Sequence, residues 1–303
     1  MNYFVQFLLI LGMAVLGCTK VLVQGRCSRN HLSSLSDCIV FNSILFLATA
    51  LTIALLFPIG GFDLPTVLWA VVAGVCALSY QFFYTLSLRT GPVSLTVMLC
   101  NLNIFITVGF CILVYHDTVY VTHLIGIVFM ILTLIFSRAE KSGEQEKKAS
   151  AKWIVYLVLA FLSTGICSTI QRYFVASVRP DDGGASVSFL LILYLVGTLL
   201  SIPVFLILKG KEKSDVPRQW KPILFYGALT GIVLALFQRL NMYVTSVTDG
   251  TFMMPTYSGL QTVMMTLVGV LIFHDKLSRR QLLGVLFGVV CVICMNLRIL
   301  PLT

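Results

Sequence analysis

The stretch YQFFYTLSLRTGPVSLTVMLCNLNIFITVGFCILVYHDTVYVTHLIGIVF, residues Tyr80–Phe129, decides the fold because the chain contains it twice. Adding 158 to each residue number gives the second copy, QRLNMYVTSVTDGTFMMPTYSGLQTVMMTLVGVLIFHDKLSRRQLLGVLF, residues Gln238–Phe287. The matching positions include Thr90 and Thr248, Leu102 and Leu260, His116 and His274, Asp117 and Asp275, Gly126 and Gly284, and Phe129 and Phe287. A scarce His-Asp pair between two apolar runs, at one constant spacing, indicates an internal duplication.

The composition restricts the class of protein. Hydrophobic residues make up 58% of the 303 residues and charged residues only 11%, whereas soluble domains carry about 25% charged residues. The core of a soluble protein does not hold so large a share of apolar residues, so most of the chain is expected inside a bilayer. The nine cysteines are scattered through apolar segments and are interpreted as small apolar side chains.

The apolar runs predict membrane-spanning helices, each of which needs about 20 mostly apolar residues. The predicted spans are ten, at residues 3–24, 36–57, 66–88, 92–114, 119–137, 153–176, 186–208, 221–245, 250–273 and 280–298. Proline and glycine mark several of the joins, as at Gly91-Pro92. The expected fold is an all-α membrane protein with ten transmembrane helices.

A polar segment at 138–152, rich in Lys, Glu, Ser and Gly, divides the chain near its midpoint. It predicts two five-helix repeats, residues 1–149 and 150–303. Because five is an odd number, the second repeat enters the membrane from the opposite side, so the two repeats are inverted. A binding site at the midplane between inverted repeats is typical of secondary transporters.

Three stretches carry a family resemblance: Gly91-Pro92 at the start of helix 4, YHDTVYVTHLIGIVF at 115–129, and FHDKLSRRQLLGVLFG at 273–288. With them the chain resembles the EamA-type transporters of the drug/metabolite transporter superfamily. Asp117 and Asp275 stand where that family usually has a glutamate. The resemblance implies a carrier of the bacterial cytoplasmic membrane for a small polar or amphipathic metabolite, with efflux of an amino-acid-like compound as the first expectation.

The orientation in the membrane is judged from the loops. Most of the 21 Lys and Arg residues lie in loops that follow odd-numbered helices, whereas the opposite side carries only Arg179 and Arg298. The positive-inside rule then places both termini outside the cell, while the family usually has both in the cytoplasm. The net charge of +9 is explained by loops at an anionic membrane surface, so no nucleic-acid partner is expected.

Three basic residues lie within or at the edges of predicted helices, namely Lys20, Arg172 and Arg239. Ionisable groups at membrane depth are costly and usually face a cavity. The offset of 158 places Arg239 opposite Gln81, which predicts that these two side chains hold an anionic group of the substrate. The alternative is that the long side chains snorkel to the interface.

Neutral polar residues share a helix face in both copies. In helix 4, Thr96, Cys100, Asn103 and Thr107 recur at helical spacing, and the offset carries them to Met254, Ser258, Gln261 and Met265 in helix 9. Tyr84 and Tyr257 add hydroxyl groups and flat rings. These residues are predicted to line a cavity, although polar side chains also join helices by hydrogen bonds.

The sequence contains no phosphate-binding glycine loop, no metal-ligand cluster and no serine elbow. We therefore expect that transport is not driven by ATP, and we expect no cofactor, no metal ion and no enzymatic activity. The predicted function is alternating-access transport of a small molecule through a cavity lined by helices 1, 3, 4, 6, 8 and 9. Two alternatives are a transporter of phosphorylated or nucleotide-linked metabolites and a non-transporting membrane sensor or scaffold.

Overall fold

The computed structural model describes residues 3–302 except 33, 91–95, 97–99, 101–102, 116–118, 137–150, 181, 212–219, 274–278 and 297–300. The helices of this part are α1 (Tyr3–Asn30), α2 (Leu35–Leu56), α3 (Leu64–Thr90), α4 (Ile104–Tyr115), α5 (Val121–Phe136), α6 (Ala151–Tyr173), α7 (Gly183–Lys211), α8 (Trp220–Val247), α9 (Gly250–Phe273) and α10 (Arg279–Asn296). A short π-helix, Phe174–Val178, continues α6. The antiparallel strands β1 (Val119–Tyr120) and β2 (Pro301–Leu302) pair with each other.

Long apolar helices dominate the structure. Six helical segments of the described chain are long and apolar enough to cross a membrane: Phe4–Ser28, Leu35–Leu56, Leu64–Thr90, Lys152–Val178, Gly183–Leu208 and Trp220–Val247. Their outward side chains, such as Leu55 and Leu199, are exposed as expected of residues that face lipid. In hydrocarbon the backbone has to satisfy its hydrogen bonds internally, which a helix does. The expected all-α membrane fold is therefore confirmed, with six candidate spans.

Local sequence fixes where two of these helices begin. The Ser34 hydroxyl accepts a hydrogen bond from the Asp37 backbone, and the Asp37 carboxylate accepts one from the Ser34 backbone, which is a capping box before α2. The Asp182 carboxylate accepts a hydrogen bond of 2.8 Å from the Ala185 backbone at the start of α7. Both acids lie at helix N-termini, where the helix dipole favours negative charge.

Several of the helix contacts are preserved when α1–α5 are exchanged with α6–α10. Helix α2 packs against α8, and its counterpart α7 packs against α3. In the same way, α1 packs against α8, and its counterpart α6 packs against α3. Helices α2 and α7 pack against each other, and so do α5 and α10. The main apolar core lies among α2, α3, α7, α8 and the end of α6 with its π-helix, where the stacked rings of Phe174 and Phe189 are 4.4 Å apart.

Two glycines allow a helix of one half to approach the backbone of a helix in the other half closely. A Cβ on Gly74 of α3 would lie 2.8 Å from the Leu193 carbonyl oxygen of α7, and a Cβ on Gly231 of α8 would lie 2.5 Å from the Leu45 carbonyl oxygen of α2. Both distances are shorter than a real Cβ contact, so only glycine fits without a shift. The two glycines play the same role in the two halves, and they are 157 residues apart.

Candidate functional site

A cavity of about 160 Å³ lies between the two halves of the chain. Helices α1, α3, α6, α8 and α9 and the chain around the start of α4 supply most of its lining, while Phe46 of α2 and Tyr194 of α7 add one ring each. Most of the candidate residues predicted from the sequence are brought together here. They are Lys20, Gln81, Tyr84, Asn103, Tyr257, Ser258 and Gln261.

Helices α3 and α8 present matching faces to the cavity. The lining residues are Ala77, Tyr80, Gln81 and Tyr84 on α3 and Leu234, Phe237, Gln238 and Asn241 on α8. These two faces correspond at an offset of 157, the spacing of Gly74 and Gly231. The offset of 158 holds further on, where Cys100 and Ser258 both line the cavity, as do Asn103 and Gln261. The repeat register therefore changes by one residue between Tyr84 and Cys100.

This change of register displaces Arg239 from its predicted place. The residue that corresponds to Gln81 is Gln238, and Arg239 is not among the described residues that line the cavity. One residue corresponds to a rotation of about 100° around a helix axis, which turns Arg239 away. Its half-buried guanidinium lies 5.9 Å from the centre of the Phe57 ring, next to Gly183 at the start of α7. The structure thus does not bring Arg239 and Gln81 together.

Lys20 is the cation of the cavity. Its side chain is only 9% exposed, and its Nζ lies 5.5 Å from the centre of the Tyr80 ring and 5.8 Å from that of Tyr84. A cation over an aromatic face is stabilised by the ring quadrupole. No ion pair joins Lys20 to an acid in the part of the chain that the structure describes. A buried ammonium without an acidic partner among the described residues can bind an anion.

Three neutral polar groups of the lining are buried without a hydrogen-bond partner among the described residues. They are Nε2 of Gln81, Oε1 of Gln261 and the hydroxyl of Thr107. Buried polar groups are normally satisfied, so each one needs an explanation such as a ligand or water. Gly17 supports this arrangement, because a Cβ there would lie 2.6 Å from the Tyr257 hydroxyl and 3.1 Å from Gln261 Nε2. The cavity therefore offers a positive charge together with unused donors and acceptors.

The second half contributes a chain of hydrogen-bonded side chains that was not predicted from the sequence. Gln238 Nε2 donates to the Tyr194 hydroxyl at 2.9 Å, and Asn241 Nδ2 donates to Gln171 Oε1 at 3.2 Å and to Gln238 Oε1 at 3.4 Å. All four side chains line the cavity. The signal that could have found them is the 157 offset, which pairs Gln81 with Gln238.

The third basic candidate, Arg172, has a structural contact. Its Nη1 donates to the backbone carbonyls of Thr245 and, at 2.9 Å, of Thr248. These carbonyls lie at the C-terminal end of α8, where a cation meets the negative end of the helix dipole. Arg172 therefore closes a helix end and is not part of the cavity lining among the described residues.

One end of the molecule carries an ion pair between the halves. Arg179 Nη2 lies 2.5 Å from Asp63 Oδ2, and the Thr66 hydroxyl donates to Asp63 Oδ1 at 2.7 Å. The hydrogen bond from Arg179 and then that from Thr66 lower the pKa of the Asp63 carboxyl to about 2. The backbone of Gly60 donates to the Gly184 carbonyl beside it, at 3.2 Å. The His-Asp pairs at 116–117 and 274–275 lie outside the described residues.

A cavity with a buried charge and unsatisfied polar groups, enclosed by apolar helices, is typical of a membrane transporter. Residues 151–297 match the model of the EamA-like transporter family. This match covers just under half of the chain, which resembles that family there, and the apolar helices indicate a multi-pass membrane protein. The resemblance predicted from the sequence is confirmed.

Solved structures show the same fold. One of them, described as a crystal structure of a protein, superposes with a TM-score of 0.62 at 15% sequence identity, covering 93% of this chain and 96% of that chain. The likeness extends over nearly the whole chain, including the half that the family model does not match. No curated protein matches the sequence.

Proposed function

We propose that the protein is a secondary active transporter that works by alternating access in a bacterial cytoplasmic membrane. Two inverted five-helix repeats, residues 1–149 and 150–303, form the carrier. The substrate is a small polar metabolite with an anionic group, bound in the cavity between the repeats. Lys20, rather than Arg239, is the cation that meets this group.

The packing of the helices supports the repeat arrangement. Several main helix contacts of one half have counterparts in the other, and Gly74 and Gly231 make corresponding close contacts. In addition, Phe129 of α5 lies against Phe287 of α10 with ring centres 5.8 Å apart. These are equivalent residues of the duplicated hairpin, and a residue meets its own equivalent when a two-fold axis passes between them.

The burial of Lys20 without an acidic partner is the observation that carries the proposal. A charge in a low-dielectric site is unfavourable unless an opposite charge or strong dipoles meet it. The described lining contains no carboxylate, so a carboxylate or phosphate of the substrate can fill this role. The free Nε2 of Gln81 is a second donor for the same anion, and hydrogen bonds to charged groups are the strong ones.

The size of the cavity favours a small metabolite. Drug-sized ligands occupy pockets of roughly 300–1,000 Å³, whereas this cavity measures about 160 Å³. A nucleotide-linked compound exceeds that space, while a small carboxylate or a small phosphorylated metabolite fits. The cavity volume in this conformation therefore suits a molecule of the size of an amino acid or a short organic acid.

Flux into proteoliposomes tests the proposal. A panel of radiolabelled amino acids, short carboxylates and small phosphorylated metabolites is presented to the wild type, to Lys20→Gln and to Lys20→Arg, at matched protein abundance. We expect transport of at least one anionic compound, and an apparent affinity about tenfold weaker in Lys20→Gln, the scale of one charge-assisted hydrogen bond of roughly 1.5–3 kcal/mol. Lys20→Arg retains the charge and is expected to lose less.

The matched control is Arg239→Gln, which removes a cation outside the cavity and is expected to leave the apparent affinity unchanged. An unchanged affinity of Lys20→Gln would overturn the anion site at Lys20. A wild-type protein that binds members of the panel but moves none of them would favour the sensor or scaffold class instead.

A further inference from the structure

We propose that the cavity has a second subsite, formed by Gln171, Tyr194, Gln238 and Asn241, that selects substrates with an uncharged hydrogen-bonding group remote from their anionic group. We name these four residues the amide wall. The proposal rests on the proposed function, because it deals with the other end of the same substrate. The chemical class it assigns is a small monoanion with a hydroxyl or carboxamide at its far end.

The amide wall is built from three helices of the second half: Gln171 lies on α6, Tyr194 on α7, and Gln238 and Asn241 on α8. The hydrogen bonds of 2.9, 3.2 and 3.4 Å connect the four side chains in one chain. Lys20 comes from α1 and lies against Tyr80 and Tyr84 of α3, both in the first half. The charge and the amides therefore belong to opposite halves of the chain.

Helix packing alone does not require the amide wall. The cavity-lining residues Gly17, Lys20 and Val21 of α1 differ by 147 from Thr164, Cys167 and Ser168 of α6. At this offset Gln24 corresponds to Gln171. The Gln24 side chain donates to the Thr85 hydroxyl at 3.0 Å and is not part of the described cavity lining. Helices α1 and α3 are in contact, and this hydrogen bond joins them. A connected set of amides that faces the cavity on one side only is therefore explained better by a ligand than by the fold.

The amide wall also retains unused hydrogen-bonding capacity. Asn241 donates through Nδ2 in both of its hydrogen bonds, so its carbonyl oxygen accepts none from the described residues. Tyr194 accepts through its hydroxyl oxygen, which leaves the hydroxyl hydrogen to donate. A carboxamide or hydroxyl can use both groups. An apolar end would leave them unpaired, and a charged end would lack a counter-ion, so both are rejected.

Matched pairs of carboxylates test the subsite by calorimetry on the purified full-length protein. Each pair consists of an aliphatic monocarboxylate of four to six carbon atoms and an analogue whose terminal methyl is replaced by a hydroxyl or carboxamide. Pentanoate and 4-hydroxybutanoate form one such pair. We expect the polar analogue to bind about tenfold more tightly, the scale of a hydrogen bond together with the cost of leaving its partner unpaired. Tyr194→Phe and Asn241→Leu are expected to reduce this preference to about one, because they remove the groups that an apolar end leaves unpaired.

Two further variants separate this proposal from the proposed function. Lys20→Gln is expected to weaken both members of a pair by the same factor, and Gln24→Leu, which changes an amide outside the cavity, is expected to keep the preference. Tyr194→Phe removes one oxygen atom only, so it remains informative if Asn241→Leu does not fold. Equal binding of both members by the wild type would overturn the subsite and leave the anion site intact. Failure of every carboxylate to bind would overturn both.

Discussion

The ammonium of Lys20 and the guanidinium of Arg239 are both cations on long helices, yet their surroundings differ. Lys20 is 9% exposed under two tyrosine rings, whereas Arg239 is half-buried beside Phe57. The cost of a buried, unpaired charge falls when an anion binds, while a half-exposed cation is already screened by its surroundings. Burial within the cavity, rather than residue type, is therefore the reason for proposing Lys20 as the binding cation.

Asp63 gives a second prediction at the residue scale. Its carboxyl has a folded-state pKa of about 2, below the ordinary value of 3.8, so the stability that the ionised form contributes is present above pH ~4 and is lost as the pH falls towards 2. We expect Asp63→Asn to lower the melting temperature slightly, since the pair is partly exposed. The difference from the wild type should be constant from about pH 8 to pH 5 and shrink below about pH 4. A difference that shrinks near neutral pH would contradict the assignment.

At the scale of the elements, α8 and α2 approach each other closely, because Gly231 lets the Leu45 carbonyl and the Ala48 side chain come within contact distance. Small residues are the usual means by which membrane helices approach closely. Thr49 adds a hydrogen bond from its hydroxyl to the Gly231 carbonyl at 3.0 Å. The same contact of α3 with α7 uses Gly74, so the central bundle depends on two glycines in corresponding places.

Gly231→Ala is expected to destabilise this bundle. The new Cβ would lie 2.5 Å from a backbone oxygen that cannot move without shifting α2, and overpacking of this kind costs about 1–3 kcal/mol. The matched control is Gly109→Ala in α4, where a Cβ meets nothing within 4 Å. That change is expected to be neutral or to stabilise the helix by about 0.4–1 kcal/mol. Thermal unfolding in detergent checks both, and equal melting temperatures for the two variants would refute the tight contact.

At the scale of the whole molecule, we expect one two-fold axis to relate the two halves in inverted orientation. We also expect the sequence offset between equivalent residues to change by one along the chain. An experimental structure should superpose α1–α5 on α6–α10 by a rotation near 180° about an axis in the membrane plane. Residues 77–84 should fall on residues 234–241, at an offset of 157, and residues 100–129 on residues 258–287, at an offset of 158. Halves related by an axis along the membrane normal, or a constant offset through α3, would show this description to be wrong.

The sequence by itself determined the class of the protein. Composition and the spacing of apolar runs can be read along the chain without knowledge of tertiary contacts. They predict spanning helices directly, because the hydrocarbon of a bilayer allows few other backbone structures. The duplicated hairpin is also visible along the chain, and its short motifs led to the family that residues 151–297 then matched. Asn103 and Gln261 were located in the same way, since they lie where the 158 offset holds.

Only the tertiary structure decided which cation and which amides face the cavity. A change of one residue between Tyr84 and Cys100 leaves the apolar pattern intact but rotates the neighbouring helix face by about 100°, so Gln238 enters the lining and Arg239 leaves it. The burial of Lys20 depends on Tyr80 and Tyr84, which lie about 60 residues away in sequence. Such contacts arise from the packing of distant helices, and no pattern along α1 alone encodes them.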